Sequence, residues 1–301
     1  MKNKNDEKGR LLALGAKHGR ILSFKPDGSS FTTVLDKCVG TIDGIAVDVI
    51  RRHIYWTNMG EHWDQNDGFI ERMDFDGANR KLIIPHGATF TPKQLQLDLR
   101  NGLMYWCDRE GMRVMRSGMD GSNITTLVET GRGEVDRLDE SKHCVGIAVD
   151  VDNGYIYWTQ KGAPNAGEGT IFRAGLDLPP GADAAHRKDI EILWDSLPEP
   201  IDLELDHAAG QLYWTDRGDP PEGNSLNRAS IHKQIPPDYE ILCTDLQEAI
   251  GLALDPDNDR AFLSDLGGNL YSCRLDGSER TVLFTGDEMF TGIVYLPGGL
   301  D

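Results

Sequence analysis

Long apolar runs are missing from this sequence: nothing in it approaches the roughly 18 apolar residues that a membrane-spanning helix requires. Positive charge is scarce. Lysine and arginine number 31 against 49 aspartates and glutamates, a net charge of −18, so a nucleic-acid duplex or an anionic membrane surface would repel the chain. Cysteine is thin as well: Cys38, Cys107, Cys144, Cys243 and Cys273 form an odd, scattered set without a Cys-x-x-Cys pair. That pattern matches neither a disulfide framework nor a zinc site. The first ten residues are polar and lack the apolar core of a secretory leader. Together with the unpaired thiols, this gives the expectation of a reducing, cytoplasmic location. Gly-x-Ser-x-Gly, His-Glu-x-x-His, the P-loop and the dinucleotide fingerprint are absent as usable motifs. Helical periodicity is also missing from the segments between the apolar stretches.

What is present is a repeat. Ile54-Tyr-Trp-Thr-Asn58, Met104-Tyr-Trp-Cys-Asp108, Ile156-Tyr-Trp-Thr-Gln160 and Leu212-Tyr-Trp-Thr-Asp216 are one motif written four times, and Ala261-Phe-Leu-Ser-Asp265 is an eroded fifth. Ahead of each runs a short apolar strand ending in Asp48, Asp98, Asp150, Asp206 or Asp255, at spacings of 50, 52, 56 and 49 residues. That period fits one four-stranded sheet plus its loops. A third strand follows each motif, often closed by Asp-Gly (76–77, 120–121, 276–277), and then a fourth.

Five such units leave both ends incomplete. Residues 11–35 supply second, third and fourth strands without a first, and Thr291-Gly-Ile-Val-Tyr-Leu296 is a first strand without followers. Pairing them closes a ring and hides both sheet edges. The expected fold is therefore all-β: a six-bladed β-propeller of four-stranded antiparallel blades spanning 11–301, preceded by a tail at 1–10. At about 300 residues the chain buries roughly three quarters of its unfolded surface and needs no staples.

On these repeats the chain resembles the YWTD propeller family, best known from low-density-lipoprotein-receptor ectodomains. It differs from the receptors in lacking their cysteine-rich modules and is more similar to stand-alone microbial and fungal copies. Some of those act as hetero-Diels–Alderases in tropolone-sesquiterpenoid pathways. The resemblance thus implies an activity that needs no cofactor or nucleophile.

Function is expected where the blades differ. The motif tryptophans and the strand-ending aspartates recur in every good blade and read as scaffold, the aspartates capping backbone donors. The inward positions of the six first strands read Ala46, Gln96, Ala148, Glu204, Ala253 and Val294, and the ring above them Gly44, Gln94, Gly146, Asp202, Gly251 and Gly292. Small residues are expected to leave a hole entered by polar side chains from two blades only, as in a ligand-binding channel. A water-filled channel whose polar groups are satisfied is the plainer alternative. Asp202 and Glu204 are two apart on one strand, about 7 Å, and a carboxylate in such a hole has a raised pKa suited to acid or base work.

The variable loops 58–67, 108–110, 131–143, 160–169 and 216–224 gather on one face. Their charges, Asp43, Lys93, Arg109, Lys161 and Arg217, point at the channel mouth. The catalytic candidates are Glu204 as acid or base with Lys93, Gln94 and Arg109 as hydrogen-bond donors. Substrate is expected to meet Asp43, Met59, Trp63, Phe90, Gln96, Cys144, Lys161, Asp202, Arg217 and Phe290. No metal is assigned. The leading reading is a cofactor-independent hetero-Diels–Alderase that couples two apolar small molecules of secondary metabolism at the mouth. Two others stay open: an intracellular protein-binding propeller, and a metal-dependent lactonase-like hydrolase using Asp43, Asp202 and Glu204.

Overall fold

The computed structural model describes residues 9–231 and 238–298. These form 24 strands in six four-stranded antiparallel sheets arranged as a ring. Blades one to five occupy 42–84, 92–129, 144–197, 200–243 and 249–285. The sixth is composite. Its innermost strand, Phe290–Leu296, pairs with Arg10–Gly15, register Arg10↔Leu296 to Gly15↔Phe290, and Arg20–Phe24 and Phe31–Leu35 complete the sheet. The ends of the chain thus close the ring, as expected from the unmatched strands. Arg10 already belongs to the sheet; residues 1–8 of the expected tail lie outside the described residues.

The Tyr-Trp pair explains itself in the seams between blades. Successive strand residues point to opposite faces of a sheet, so Tyr and Trp of one motif serve two different seams. Tyr55 packs in one cluster with Trp106 of the next blade, Tyr105 with Trp158, Tyr157 with Trp214, and Tyr213 with Leu263. The four tryptophans are at most 1% exposed. Burying each indole is worth roughly 4–6 kcal/mol of transfer free energy.

The motif threonine has a different task. Each first strand carries a bulge near its start, between 42 and 45, 144 and 147, 200 and 203, and 249 and 252. The backbone N–H freed there donates to the motif hydroxyl: Gly44 to Thr57 and Gly146 to Thr159, both at 2.7 Å, and Asp202 to Thr215 at 3.1 Å. The same hydroxyls donate onward to the next blade, Thr159 to the Ile201 carbonyl at 2.8 Å and Thr215 to that of Ile250 at 2.6 Å. Ser264 repeats the latch in blade five. In blade two the residue is Cys107, whose thiol reaches the Gly146 carbonyl at 3.1 Å.

The strand-ending aspartates cap the following turns as expected: Asp48 accepts from Ile50 and Arg51, Asp98 from Asn101, Asp150 from Asn153 and Asp206 from Ala209. Asp255 accepts instead from the Asn258 side chain. Among the described residues helix is confined to single turns, Gly133–Arg137, Glu140–Lys142 and Pro256–Asn258, too short to show a period in sequence. No helix among the described residues is long and apolar enough to cross a membrane.

Candidate functional site

The channel is built by the six first strands, and its polar content comes from blades one, two and four. Gln96 of blade two and Glu204 of blade four meet within it: Gln96 Nε2 donates to Glu204 Oε1 at 3.0 Å. Burial pushes the Glu204 carboxyl up to about 7, against the opposing pull of the Gln96 hydrogen bond. At that value the carboxyl is divided between its two protonation states near neutral pH.

One ring higher, the glycines do not open a hole. A Cβ on Gly146 would lie 1.9 Å from the Ile201 carbonyl oxygen, and one on Gly44 2.5 Å from that of Lys93. These residues let neighbouring first strands touch, which corrects the expectation that their smallness leaves space. Gln94 and Asp202 are the polar members of this ring, and the neighbouring glycines approach their backbones, a Gly44 Cβ coming 2.7 Å from the Gln94 Cα and a Gly146 Cβ 3.1 Å from that of Asp202. Asp202 accepts from the backbone N–H of Leu203 at 2.9 Å and of Leu252 at 3.0 Å, so its carboxylate clamps blade four to blade five. Its pKa is well above the ordinary range, through burial first and then the charges of Glu204 and Asp43, with the two backbone donors acting against them. Gln94 is 4% exposed and its Nε2 has no hydrogen-bond partner.

The mouth is lined by ion pairs. Lys93 donates to Asp43 at 2.7 Å, and both are buried. Burial lowers the Lys93 pKa, with Asp43 opposing and Arg109 assisting. Asp43 Oδ2 is buried without a partner. Arg109 pairs with Glu110 at 2.5 Å, Lys161 with Glu140 at 2.8 Å, and Arg217 with Glu199 at 2.9 Å. All four cations expected at the mouth are therefore matched by carboxylates. Glu110 also accepts from the Thr91 hydroxyl, and its pKa is lowered because Arg109 and Thr91 outweigh burial. His143 is buried nearby, its Nε2 bonded to the Arg137 carbonyl at 2.9 Å, and desolvation lowers its pKa. Glu110, Glu140, Glu199 and His143 were missed from sequence. The acidic residues beside Arg109 and within the loop 131–143 were the available signal.

The apolar candidates scatter. Phe90 lies under the Arg137 guanidinium, 4.0 Å from the ring centroid, at the foot of the 131–143 loop. Met59 is half-buried on its loop, and Trp63 is 61% exposed. Phe290 is fully buried with Phe24 and Leu270 in the seam between blades five and six, not at the mouth. Cys144 is likewise buried in the seam between blades two and three, its thiol pushed up to about 12 by desolvation. Bulges at the start of both strands reset the side-chain alternation, and so turn these two residues away from the channel. Among the described residues no three of His, Cys, Asp and Glu are grouped so as to hold a metal.

A ring of six four-stranded blades whose seams are filled by a repeated Tyr-Trp pair, with motif hydroxyls latching four of them, defines a YWTD-type propeller. A fungal protein named low-density lipoprotein receptor-related protein 1, from Pyricularia oryzae, is 45% identical over 291 residues, 93% of each chain. The chain belongs to this YWTD-type, low-density-lipoprotein-receptor-related propeller family. A 3-hydroxyacyl-CoA dehydrogenase-like protein, LAM1 of Cochliobolus heterostrophus, is 40% identical over 92% of the chain, which spans 60% of that protein's length. Among solved structures, a chain of the nidogen/laminin complex superposes with a TM-score of 0.75 at 20% identity, covering 96% of this chain and 98% of that one, a likeness of fold. No family model matches the sequence.

Proposed function

We propose that this propeller binds small, largely apolar molecules at its channel mouth and couples them without a cofactor, most concretely by hetero-Diels–Alder addition. One observation carries the reading: the buried Nε2 of Gln94 has no hydrogen-bond partner, and neither has Oδ2 of Asp43, whose other oxygen is held by Lys93. Buried polar groups are nearly always satisfied, and an unmatched donor and acceptor at an entrance suit a ligand. A cycloaddition needs no nucleophile. It needs two partners held in register and a donor that polarises the electron-poor one. Gln94, Lys93 and Glu204 in its protonated form are such donors.

The test is incubation with an α,β-unsaturated carbonyl compound and an apolar alkene, followed by chiral chromatography of the adduct. Catalysis should give one enantiomer in excess, and Gln94→Leu, which keeps the bulk but removes the donor, should lower that excess. A racemic adduct formed at the rate of the protein-free control, across a panel of such pairs, defeats the reading.

Protein binding remains the second reading, on a specific observation: Val39, Trp63, Val135, Leu138 and Met289, all in the connections between strands on the mouth side, are 42–83% exposed. A cytoplasmic location suits either reading. All five cysteines are free thiols.

A further inference from the structure

Away from the mouth, between the outer parts of blades one and two, lies an open groove of about 1030 Å³. Its charged lining is Arg51, Arg72, Lys81 and Arg116 with Asp120 and Asp177; Arg51 is paired with Asp48 at 3.0 Å, while Arg72 and Lys81 face each other. In a chain of net charge −18, such a concentration of cations is out of keeping with the surface around it.

The repeat shows what is unusual here. Each of blades one to four sets an arginine beside the motif tyrosine: Tyr55↔Arg72, Tyr105↔Arg116, Tyr157↔Arg173 and Tyr213↔Arg228. In blades three and four the fourth strand answers with a carboxylate directly opposite. Arg173 meets Glu191 at 2.6 Å and Arg228 meets Glu240 at 2.7 Å. In blade two the opposite residue is Thr125, and Arg116 pairs instead with Asp177 of the next blade at 2.7 Å.

Blade one breaks the rule. Opposite Arg72 stands Lys81, a like charge in a directly paired register, which destabilises a sheet. Arg116 and Arg228 also donate to a carbonyl of the following blade, Leu176 at 3.4 Å and Leu275 at 3.1 Å. The corresponding carbonyl for blade one, Met119, is taken by the Tyr55 hydroxyl. Arg72 meets the His53 ring, 2.8 Å from Nη1, and the Tyr55 side chain, but the residue opposite it is a cation and not a carboxylate. Scaffolding alone gives no reason to face Lys81 with this arginine. An anion between them does.

We infer that the groove between blades one and two is a second ligand site, and that it takes a phosphate-bearing small molecule held by Arg72 and Lys81, with Arg51 and Arg116 at its rim. Its volume stands at the upper end of the roughly 300–1,000 Å³ usual for small-molecule pockets. Guanidinium forks bind paired oxygens in two parallel hydrogen bonds, while lysine acts as a point charge. A terminal phosphate has three oxygens and satisfies two cations at once; a single carboxylate satisfies one fork. The site is independent of the channel and of the chemistry proposed there.

The decisive variant is Lys81→Glu, which writes into blade one the Arg–Glu pair of blades three and four and so keeps the sheet folded. Pyrophosphate and citrate are titrated separately into wild type, Lys81→Glu and Arg72→Gln by calorimetry at about 0.15 M salt, where long-range attraction is screened. Pyrophosphate should bind wild type with one site per chain. Either variant should weaken it about tenfold or more, the size of a lost charge-assisted contact. Lys81→Glu should melt no lower than wild type. Three results overturn the inference: no saturable binding of pyrophosphate, equal affinity in wild type and Lys81→Glu, or binding of citrate in preference to pyrophosphate.

Discussion

Gln96 and Glu204 belong to blades two and four, yet the amide of one donates to the carboxyl of the other at 3.0 Å; the blade between them contributes only Ala148 at this level. The pair ties a group that titrates near neutrality to an amide that cannot titrate. The carboxyl moves from an ordinary value of 4.5 to about 7 on folding, so between those values the folded chain binds more protons than the unfolded one. Stability contributed by this group is then intact below about 4.5 and lost as pH rises towards 7. Glu204→Gln removes the dependence. It should melt like wild type at pH 4 and above it at pH 8, by the equivalent of about 1–3 kcal/mol. Turnover should fall about 10²–10⁴-fold if the carboxyl is the acid. A variant that loses stability at pH 8 and keeps full activity per folded molecule makes Glu204 a strut.

The motif hydroxyl gives a sharper stability test. Thr159→Val preserves shape but leaves the Gly146 N–H and the Ile201 carbonyl buried without their partner. The expected cost is about 2–3 kcal/mol. In blade two the reverse change, Cys107→Thr, supplies the stronger acceptor that the other latches have and should add about 1 kcal/mol. Chemical denaturation reads both, and equal midpoints for wild type and Thr159→Val would show that the latch does not hold the blades.

Much of this was legible in the sequence, for a physical reason. Tyr-Trp-Thr-Asp repeats because each of its first three side chains serves a seam or latch that recurs from blade to blade, so copies betray the fold. The unmatched strand at 291–296 betrayed the closure by the same arithmetic. Gln96 and Glu204 stood out because four of the six inward positions are small or aliphatic. What could not be read was anything across the bulge: parity counted from Ala148 fails before reaching Cys144, and Phe290 fails likewise. The ion pairs of the mouth join loops of different blades, and Glu199 reaches both Arg217 and Lys161, the latter at 3.8 Å. Such partners have no fixed sequence offset. The close approach that makes Gly44 and Gly146 necessary is also invisible until the neighbouring strand is in place.

Closure by the termini predicts a dependence on a short terminal segment. Deleting 290–301 removes the innermost strand of blade six and strips Phe290 and Ile293 from the cluster that also holds Leu11, Phe24 and Leu270. Two backbone edges are exposed at once. Soluble protein with a cooperative melt should be lost, and supplying the segment as a separate peptide should restore part of it. A truncated chain with an unchanged melting curve would mean that the ring is held shut by other contacts.

Cysteine reactivity offers the last prediction. Cys38, Cys107, Cys144 and Cys273 are buried, and desolvation raises the pKa of the first three. Cys243 is only half-buried and sits at the seam of blades four and five, in one cluster with Cys273. There the Cys273 thiol donates to Cys243 and Arg280 adds positive charge, and both pull the Cys243 thiol below its ordinary range despite burial. Thiolates, not thiols, react with alkylating agents. Native protein treated briefly with iodoacetamide should therefore be labelled first at Cys243, the rate levelling off at a lower pH than for a free thiol. All five should label after denaturation without reductant. Replacing Cys273 by alanine removes the donor, so the pH at which Cys243 labelling reaches half its maximum should rise. An unmoved midpoint in Cys273→Ala would leave Arg280 alone as the cause, and Arg280→Gln should then shift it.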